Sequence, residues 1–524
     1  MATVFPIQPA QPTGAPQAND VLHWMRPGPL QLSALPPLSL YIHLPWCLRK
    51  CPYCDFNSHE WRAASEADID GIPEQAYIDA LVADLDAALP LIWGRTVHTI
   101  FIGGGTPSLF SPQAIDRLLG DVRARLKLAP DCEITLEANP GTFERNRFRA
   151  YRAAGVTRLS VGVQSFNDEH LKALGRVHDR AQAIAAVEEA ASAFDTFNLD
   201  LMYALPGQTL EGLDADLSQA LSLAPPHLSV YHLTIEPNTW FAKFPPTLPE
   251  DDIAYEMLDR ITERTSAAGM TRYEVSAYAR EGHACGHNRN YWEFGDYLGI
   301  GAGAHSKLSF AHRIVRQVRY REPRLYMENA RAGAAVSQSD EVALADLPFE
   351  FMLNALRLKA GFTLPQFSER TGLAMTAIQR GLGSRTQGAP GARPVPGVAH
   401  RTRAGLSERS AGDVPAGRGV GRCRRLKIAG SGELGEWFKP AVLKTADVKA
   451  SVSSNLTLSA SHSCISRRLG SFRTTDRCSN QSSATNFPPL NSAQNPCSSS
   501  QGHLHSNSKR DELSPRCTPI CSSH

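Results

Sequence analysis

Between residues 39 and 233 the chain alternates short apolar runs with longer segments in which apolar side chains recur every three or four positions. The runs 39–43, 99–103, 133–137, 158–163, 198–202 and 227–233 carry β-branched, Leu and aromatic residues, and Gly, Pro or Asn closes most of them, so each predicts a strand. The stretches between them are helix-length. In the clearest, residues 74–89, Ile78, Val82, Leu85 and Leu89 share one face while Asp79, Asp84 and Asp86 point elsewhere. Six strand-then-helix units predict an α/β fold, a parallel sheet with helices outside it. Eight such units close a barrel; six predict a partial (β/α)6 barrel with ligands at the carboxyl ends of its strands. Cys47, Gly103, Glu137, Gln164 and Asp200 stand at those ends.

Outside this core, taken as residues 37–270, the pattern changes. Residues 271–345 mix short apolar runs with a Gly-rich stretch from Gly299 to Gly303 and predict a mixed α/β extension. Residues 346–382 predict a small helical, winged-helix-like domain that is cut short. Its first helix opens at Pro348, presents Phe351, Leu353, Leu356 and Leu358, and stops at Gly361; further helices start near Leu364 and Met375. Residues 1–36, rich in Pro, Gln and Ala, read as a disordered leader. Residues 383–524 hold 24 Ser and no sustained apolar period, so they cannot offset their ordering entropy and read as a disordered tail.

With 524 residues, 42% of them hydrophobic, the chain has length for two to four domains. No apolar run approaches the ~18 residues of a membrane span. The start, Met1-Ala2-Thr3-Val4-Phe5-Pro6, lacks the basic and apolar regions of a secretory signal, which predicts a cytoplasmic protein. The net charge of +2 hides a division: from Ser384 onward 20 Lys and Arg face 8 Asp and Glu, a balance of +12, which leaves −10 for the rest. The tail's charges are dispersed, without interleaved aromatics, so no nucleic-acid partner is expected. Five cysteines lie before residue 286 and six in the tail, and they do not read as one disulfide framework.

The sharpest chemical signal is Cys47-Leu48-Arg49-Lys50-Cys51-Pro52-Tyr53-Cys54, immediately after the first strand. Three closely spaced thiolates suit an iron–sulfur cube with one iron left open. Structural cysteines or a zinc site, with His43 or His59 near, are the alternatives. From Tyr41 through Cys54 the chain resembles the radical S-adenosylmethionine family, and most of all the branch that contains oxygen-independent coproporphyrinogen oxidase and heme chaperones. The resemblance runs from about residue 39 to 382. It implies that Cys47, Cys51 and Cys54 hold a [4Fe–4S] cluster, whose unique iron takes the amino and carboxylate groups of S-adenosylmethionine. Tyr41 and Tyr53 match neighbours of the nucleotide; Gly104, Gly105 and Thr106 match the turn that binds the methionyl group. Glu137, Gln164, Arg176 and Asp200 match residues that contact S-adenosylmethionine, of which the oxidase branch binds two molecules.

Two features bear on the branch. Phe56 stands where the oxidases carry one more cysteine. His287-Asn288-Arg289-Asn290-Tyr291-Trp292 resembles a His-Asn-x-x-Tyr-Trp motif associated with heme, which implicates His287, Tyr291 and Trp292. Imidazole is a good axial ligand for heme iron and aromatic rings pack on porphyrin faces; the plainer reading is a core histidine in an aromatic cluster. The resemblance implies a heme chaperone that supplies a hemoprotein, served by a flavodoxin- or ferredoxin-like electron donor. The other reading is oxidative decarboxylation of coproporphyrinogen III in porphyrin biosynthesis. Homodimerisation and peripheral membrane contact stay open.

The resemblance stops abruptly at Leu382. Read one nucleotide later, the codons of residues 404–416 permit the apolar run Arg-Gly-Phe-Leu-Ser-Asp-Leu-Gln-Ala-Met-Phe-Leu, similar to the usual end of this family. Residues 383–524 are therefore read as a frameshift product, which would leave the apolar faces of residues 348–382 without partners.

Overall fold

The computed structural model describes residues 20–61, 71–141 and 147–378, so most of the expected leader and the whole of the residue-383–524 tail lie outside the described residues. Six parallel strands stand side by side in chain order: β1 (Leu38–Leu44), β2 (Thr96–Gly104), β3 (Lys127–Ala138), β4 (Arg158–Gln164), β5 (Phe197–Tyr203) and β6 (His227–His232). Their side chains alternate between two faces. Leu40, Ile42, Ile100, Ile102, Leu159 and Val161 point outward into the apolar core that also takes Ile78 and Leu81 from the helix Glu74–Ala88 and Leu118 and Val122 from the helix Pro112–Arg125. The intervening positions, such as Thr99, Glu133, Thr135, Arg158 and Asn198, face the lumen. Parallel strands are usually apolar on both faces; the polar inner face marks this lumen as something other than filled core.

The sheet does not end with the six strands. The strand Asp296–Ile300 returns to pair in parallel with the free edge of β1, and three antiparallel strands follow: His305–Phe310, Arg313–Arg319 and Val336–Glu341. Beyond β6 lie the short antiparallel strands Ala277–Ala279 and Thr271–Arg272. The expected mixed extension thus continues the barrel sheet at both edges.

Three expectations need correction. In the helix Glu74–Ala88, Val82 and the following Leu89 are only partly buried, whereas Asp84 is fully buried. Its carboxylate pairs with Arg319 Nε at 3.3 Å and accepts from the Tyr326 hydroxyl at 3.0 Å and the Gly301 amide at 3.3 Å. These donors offset the cost of taking the charge out of water. The helix Leu347–Ala355 ends six residues before Gly361, because the chain turns there to bridge Leu358 to Glu274 and to bring Arg357 within 3.0 Å of the Glu274 carboxylate. The next helix, Leu364–Thr371, starts as expected, on a Thr363/Gln366 capping box.

The leader is the third. From Asp20 onward it is packed: Trp24 stacks on Phe310 with ring centroids 6.4 Å apart, and the Arg313 guanidinium donates to the carbonyls of His23 (2.7 Å) and Pro27 (3.2 Å). Leu30 enters a cluster with Ile314, Phe351, Phe362 and Phe367. Prolines limit helix and strand, but not burial. The leader therefore covers apolar faces that were expected to lack partners.

Candidate cofactor site at the barrel mouth

β1 passes through Pro45 into the two-residue strand Trp46–Cys47, which pairs in parallel with His59–Glu60 and pinches off the cysteine loop. Lys50 closes the loop by donating to the carbonyls of Phe56 (3.0 Å) and Ser58 (3.1 Å). Cys47, Cys51 and Cys54 are free and partly exposed. Each meets a different group: the Thr106 hydroxyl lies 3.5 Å from Cys47 Sγ, Arg176 Nη1 3.6 Å from Cys51 Sγ, and Ser58 Oγ 3.6 Å from Cys54 Sγ. Burial pushes the Cys47 thiol up and the Cys54 thiol up to about 12, so both need a strong neighbouring positive charge to become thiolates. Among the described residues no three His, Cys, Asp or Glu side chains converge on a single-ion site. A cube takes each thiolate at its own iron corner, so the donor set fits a cluster better than tetrahedral zinc.

The turn after β2 is knitted to this loop by backbone. The Gly105 amide donates to Leu44 O (2.8 Å) and the Thr106 amide to Trp46 O (2.7 Å). A Cβ on Gly105 would lie 2.5 Å from Trp46 O; one on Gly104, at φ +121°, would lie 2.6 Å from the His43 ring. These glycines serve first to let two chain segments touch, not only to admit a ligand. Gly301 and Gly303 do likewise, since Cβ atoms there would fall 2.4 Å from His43 O and 2.5 Å from Asn57 Nδ2. Tyr41, His43 and Asn57 form a chain into the loop: burial lowers His43 to about 4, so the neutral ring donates from Nε2 to Asn57 O (2.9 Å) and accepts at Nδ1 from the Tyr41 hydroxyl (2.8 Å).

Glu137 and Gln164 near the ends of β3 and β4, Asp200 within β5 and Arg176 after the helix Asp168–Ala173 line the same mouth. Glu137 accepts from the Gly104 amide at 3.1 Å; burial, reinforced by Asp200, raises its carboxyl to about 8. Asp200 is held by Ser160 Oγ (2.8 Å) and Asn198 Nδ2 (2.9 Å). Gln164 closes β4 at φ +68°, a left-handed conformation that a non-glycine residue holds only when its surroundings impose it. Arg176 donates to Asn139 Oδ1 (2.5 Å) and Gly162 O (2.9 Å), and Asn139 donates in turn to the Thr106 hydroxyl (2.9 Å). In the sequence nothing marks Asn139 except its place two residues after Glu137 in Glu137-Ala138-Asn139-Pro140. Tyr53 is buried beneath the loop against Phe241, Leu174 and Met202.

His287, Tyr291 and Trp292 are elsewhere. They lie on the helix Gly286–Trp292, whose first amides donate to Glu133: Gly286 at 3.0 Å and His287 at 3.2 Å. Glu133 and Thr99 sit four residues before Glu137 and Gly103, roughly 13 Å deeper along the strands. His287 has no exposed surface; Nδ1 meets Thr99 Oγ1 at 2.8 Å and Nε2 meets the Tyr291 hydroxyl at 3.3 Å. Burial lowers it to about 3, so the ring is neutral. Trp292 packs under the Arg357 guanidinium at 4.1 Å. Both imidazole nitrogens have partners inside the lumen, as the plainer reading of a core histidine in an aromatic cluster describes.

The radical SAM superfamily domain matches residues 41–220. Over 347 residues the chain is 50% identical to the heme chaperone HemW of Escherichia coli (strain K12), a match that covers 66% of this chain and 89% of that protein. The chain belongs to the HemW family of radical SAM proteins. The heme chaperone HemW of Bacillus subtilis (strain 168) is 34% identical over 348 residues, 65% of this chain and 88% of that protein. Among solved structures, coproporphyrinogen III oxidase (HemN) from Escherichia coli, a radical SAM enzyme, matches with a TM-score of 0.55 and 24% identity over 65% of this chain and 80% of that one; it shares the fold. Membership in the radical SAM superfamily implies a [4Fe–4S] cluster and S-adenosylmethionine, and the three thiols and the polar mouth suit both. No helix among the described residues is long and apolar enough to cross a membrane.

Proposed function

We propose that the protein is a cytoplasmic heme chaperone, binding heme and passing it to a hemoprotein, with Cys47, Cys51 and Cys54 holding the cluster and the mouth residues holding S-adenosylmethionine. The observation that carries this reading is 50% identity across 89% of the HemW chain of Escherichia coli. Phe56 adds to it: a side chain without a donor atom stands where the oxidases carry a cysteine, and its carbonyl instead anchors Lys50. A cluster held by these three thiolates would supply one-electron chemistry to a sulfonium bound beside it. The chain's own residues hold the cofactor in place. Arg176, oriented by Asn139 and Gly162 O, offers a cation to a carboxylate. Glu137 and Asp200 offer acceptors to hydroxyl and ammonium groups.

Ligation of heme iron by His287 would require its ring to release either Thr99 at Nδ1 or the Tyr291 hydroxyl at Nε2, so the reading does not rest on that residue. The test is anaerobic incubation of the cluster-loaded protein with coproporphyrinogen III, and separately with heme followed by an apo-hemoprotein. The expected result is stoichiometric heme binding and transfer, with no decarboxylation. Catalytic formation of protoporphyrinogen would replace the chaperone reading with the oxidase.

A further inference from the structure

The lumen contains one cation out of keeping with the rest of the molecule. Buried arginines here are engaged: Arg319 with Asp84 and Ser306, Arg316 with Glu350, Arg357 with Glu274, Arg313 with backbone carbonyls. Arg158, the first residue of β4, is 2% exposed and has no hydrogen bond or ion pair among the described residues. The carboxylates near enough to act on it electrostatically, Glu133 and Asp200, are committed elsewhere. Glu133 accepts from the amides of Gly286 and His287, and Asp200 from Ser160 and Asn198. On the adjacent strand Thr135 pairs in register with Arg158; it too is fully buried, and its hydroxyl has no partner among the described residues.

Two orphaned polar groups side by side in one polar lumen are costly unless something satisfies them. We propose that the lumen beneath the cofactor mouth is a carboxylate-binding site, in which Arg158 supplies the cation and the Thr135 hydroxyl a second donor. The guanidinium fork matches the two oxygens of a planar carboxylate. A monoanion also fits better than a phosphate dianion, which would bring twice the negative charge into a lumen that already holds Glu133, Glu137 and Asp200. The ligand is a small monocarboxylate or a carboxylate arm that enters from the mouth. The inference stands apart from the heme reading, since it rests only on the lumen.

The test is a titration of the full chain, without cluster, with sodium propionate against sodium chloride at equal ionic strength, followed by thermal melting. The wild type is expected to gain stability saturably with propionate and not with chloride. Arg158→Met is expected to bind propionate about ten- to hundredfold more weakly, while melting at or above the wild-type temperature without ligand, because it removes an unpaired buried charge. Should Arg158→Met fail to fold, Thr135→Val decides, since it keeps the cation: weaker propionate binding supports the site and unchanged binding overturns it. Absence of any propionate effect on the wild type, which would mean a lumen satisfied by water alone, also overturns it. Competition names the source: displacement of propionate by S-adenosylmethionine points to a methionyl carboxylate, and displacement by a porphyrin but not by its methyl ester points to a propionate arm.

Discussion

The mouth and the floor of the barrel are built from similar side chains and behave differently. At the mouth, Cys47, Cys51, Cys54, Glu137, Gln164 and Asp200 are all partly exposed. At the floor, Thr99, Asn198, His227 and His287 are buried and bond to one another or to neighbours: His227 Nδ1 meets Asn198 Oδ1 at 2.6 Å and Nε2 meets the Tyr273 hydroxyl at 2.9 Å. Polarity alone therefore does not make a ligand site. At the mouth the polar groups are partly exposed; at the floor Arg158 Nε and the Thr135 hydroxyl are buried without a partner among the described residues, as are Asn288 Oδ1 and Trp292 Nε1. The scaffolds differ as well. Close backbone approach at Gly104, Gly105, Gly301 and Gly303 shapes the mouth, whereas a hydrogen-bond network fills the floor.

The sharpest way to break this contrast is Cys51→Ser. Iron and sulfide incorporation is expected to be lost while circular dichroism stays native; a variant that keeps its full iron content would remove the mouth's function. Gly105→Ala should come next, because the clash is with backbone and cannot be relieved by a rotamer change: about 1–3 kcal/mol of stability, read by denaturant unfolding, together with poorer cluster loading. At the floor, His287→Ala should cost about 1–3 kcal/mol from polar contacts left unmade, with heme stoichiometry retained. Loss of heme binding at an unchanged melting temperature would instead give the imidazole to the iron.

The smallest effect concerns Glu137. Its carboxyl is raised from 4.5 to about 8 by burial and by Asp200, so between those values the folded chain holds a proton that the unfolded chain has released. Its contribution to stability is then full below about pH 4.5 and lost as pH rises through about 8. Glu137→Gln should flatten that part of the melting-temperature profile of the cluster-free chain, and an unchanged slope would mean that the mouth is wetter than its geometry implies.

Much of this was legible in order along the chain. The six barrel strands are where the apolar alternation put them, because each contrast between outward Leu, Ile and Val and inward polar residues is local to a few positions. The cysteine loop, the glycine turn and the strand-end Glu137, Gln164 and Asp200 were visible because parallel strands deliver their carboxyl ends to one rim. Asp84 was misread since its neighbours Asp79 and Asp86 are surface residues and nothing local announces Arg319, which lies 235 residues away in sequence. The leader was misread because composition averages over residues, while Trp24 and Leu30 act singly.

The amino-acid sequence by itself determined the six parallel strands, their outward apolar core and the close spacing of Cys47, Cys51 and Cys54, since these depend on period, residue type and spacing. Tertiary structure alone decided the rest. It placed His287 inside the lumen, turned four glycines into points of chain contact, gave Asp84 its distant arginine and left Arg158 Nε without a partner among the described residues. Each of these depends on which remote atoms arrive within a few ångströms, and no periodicity along one strand or helix carries that information.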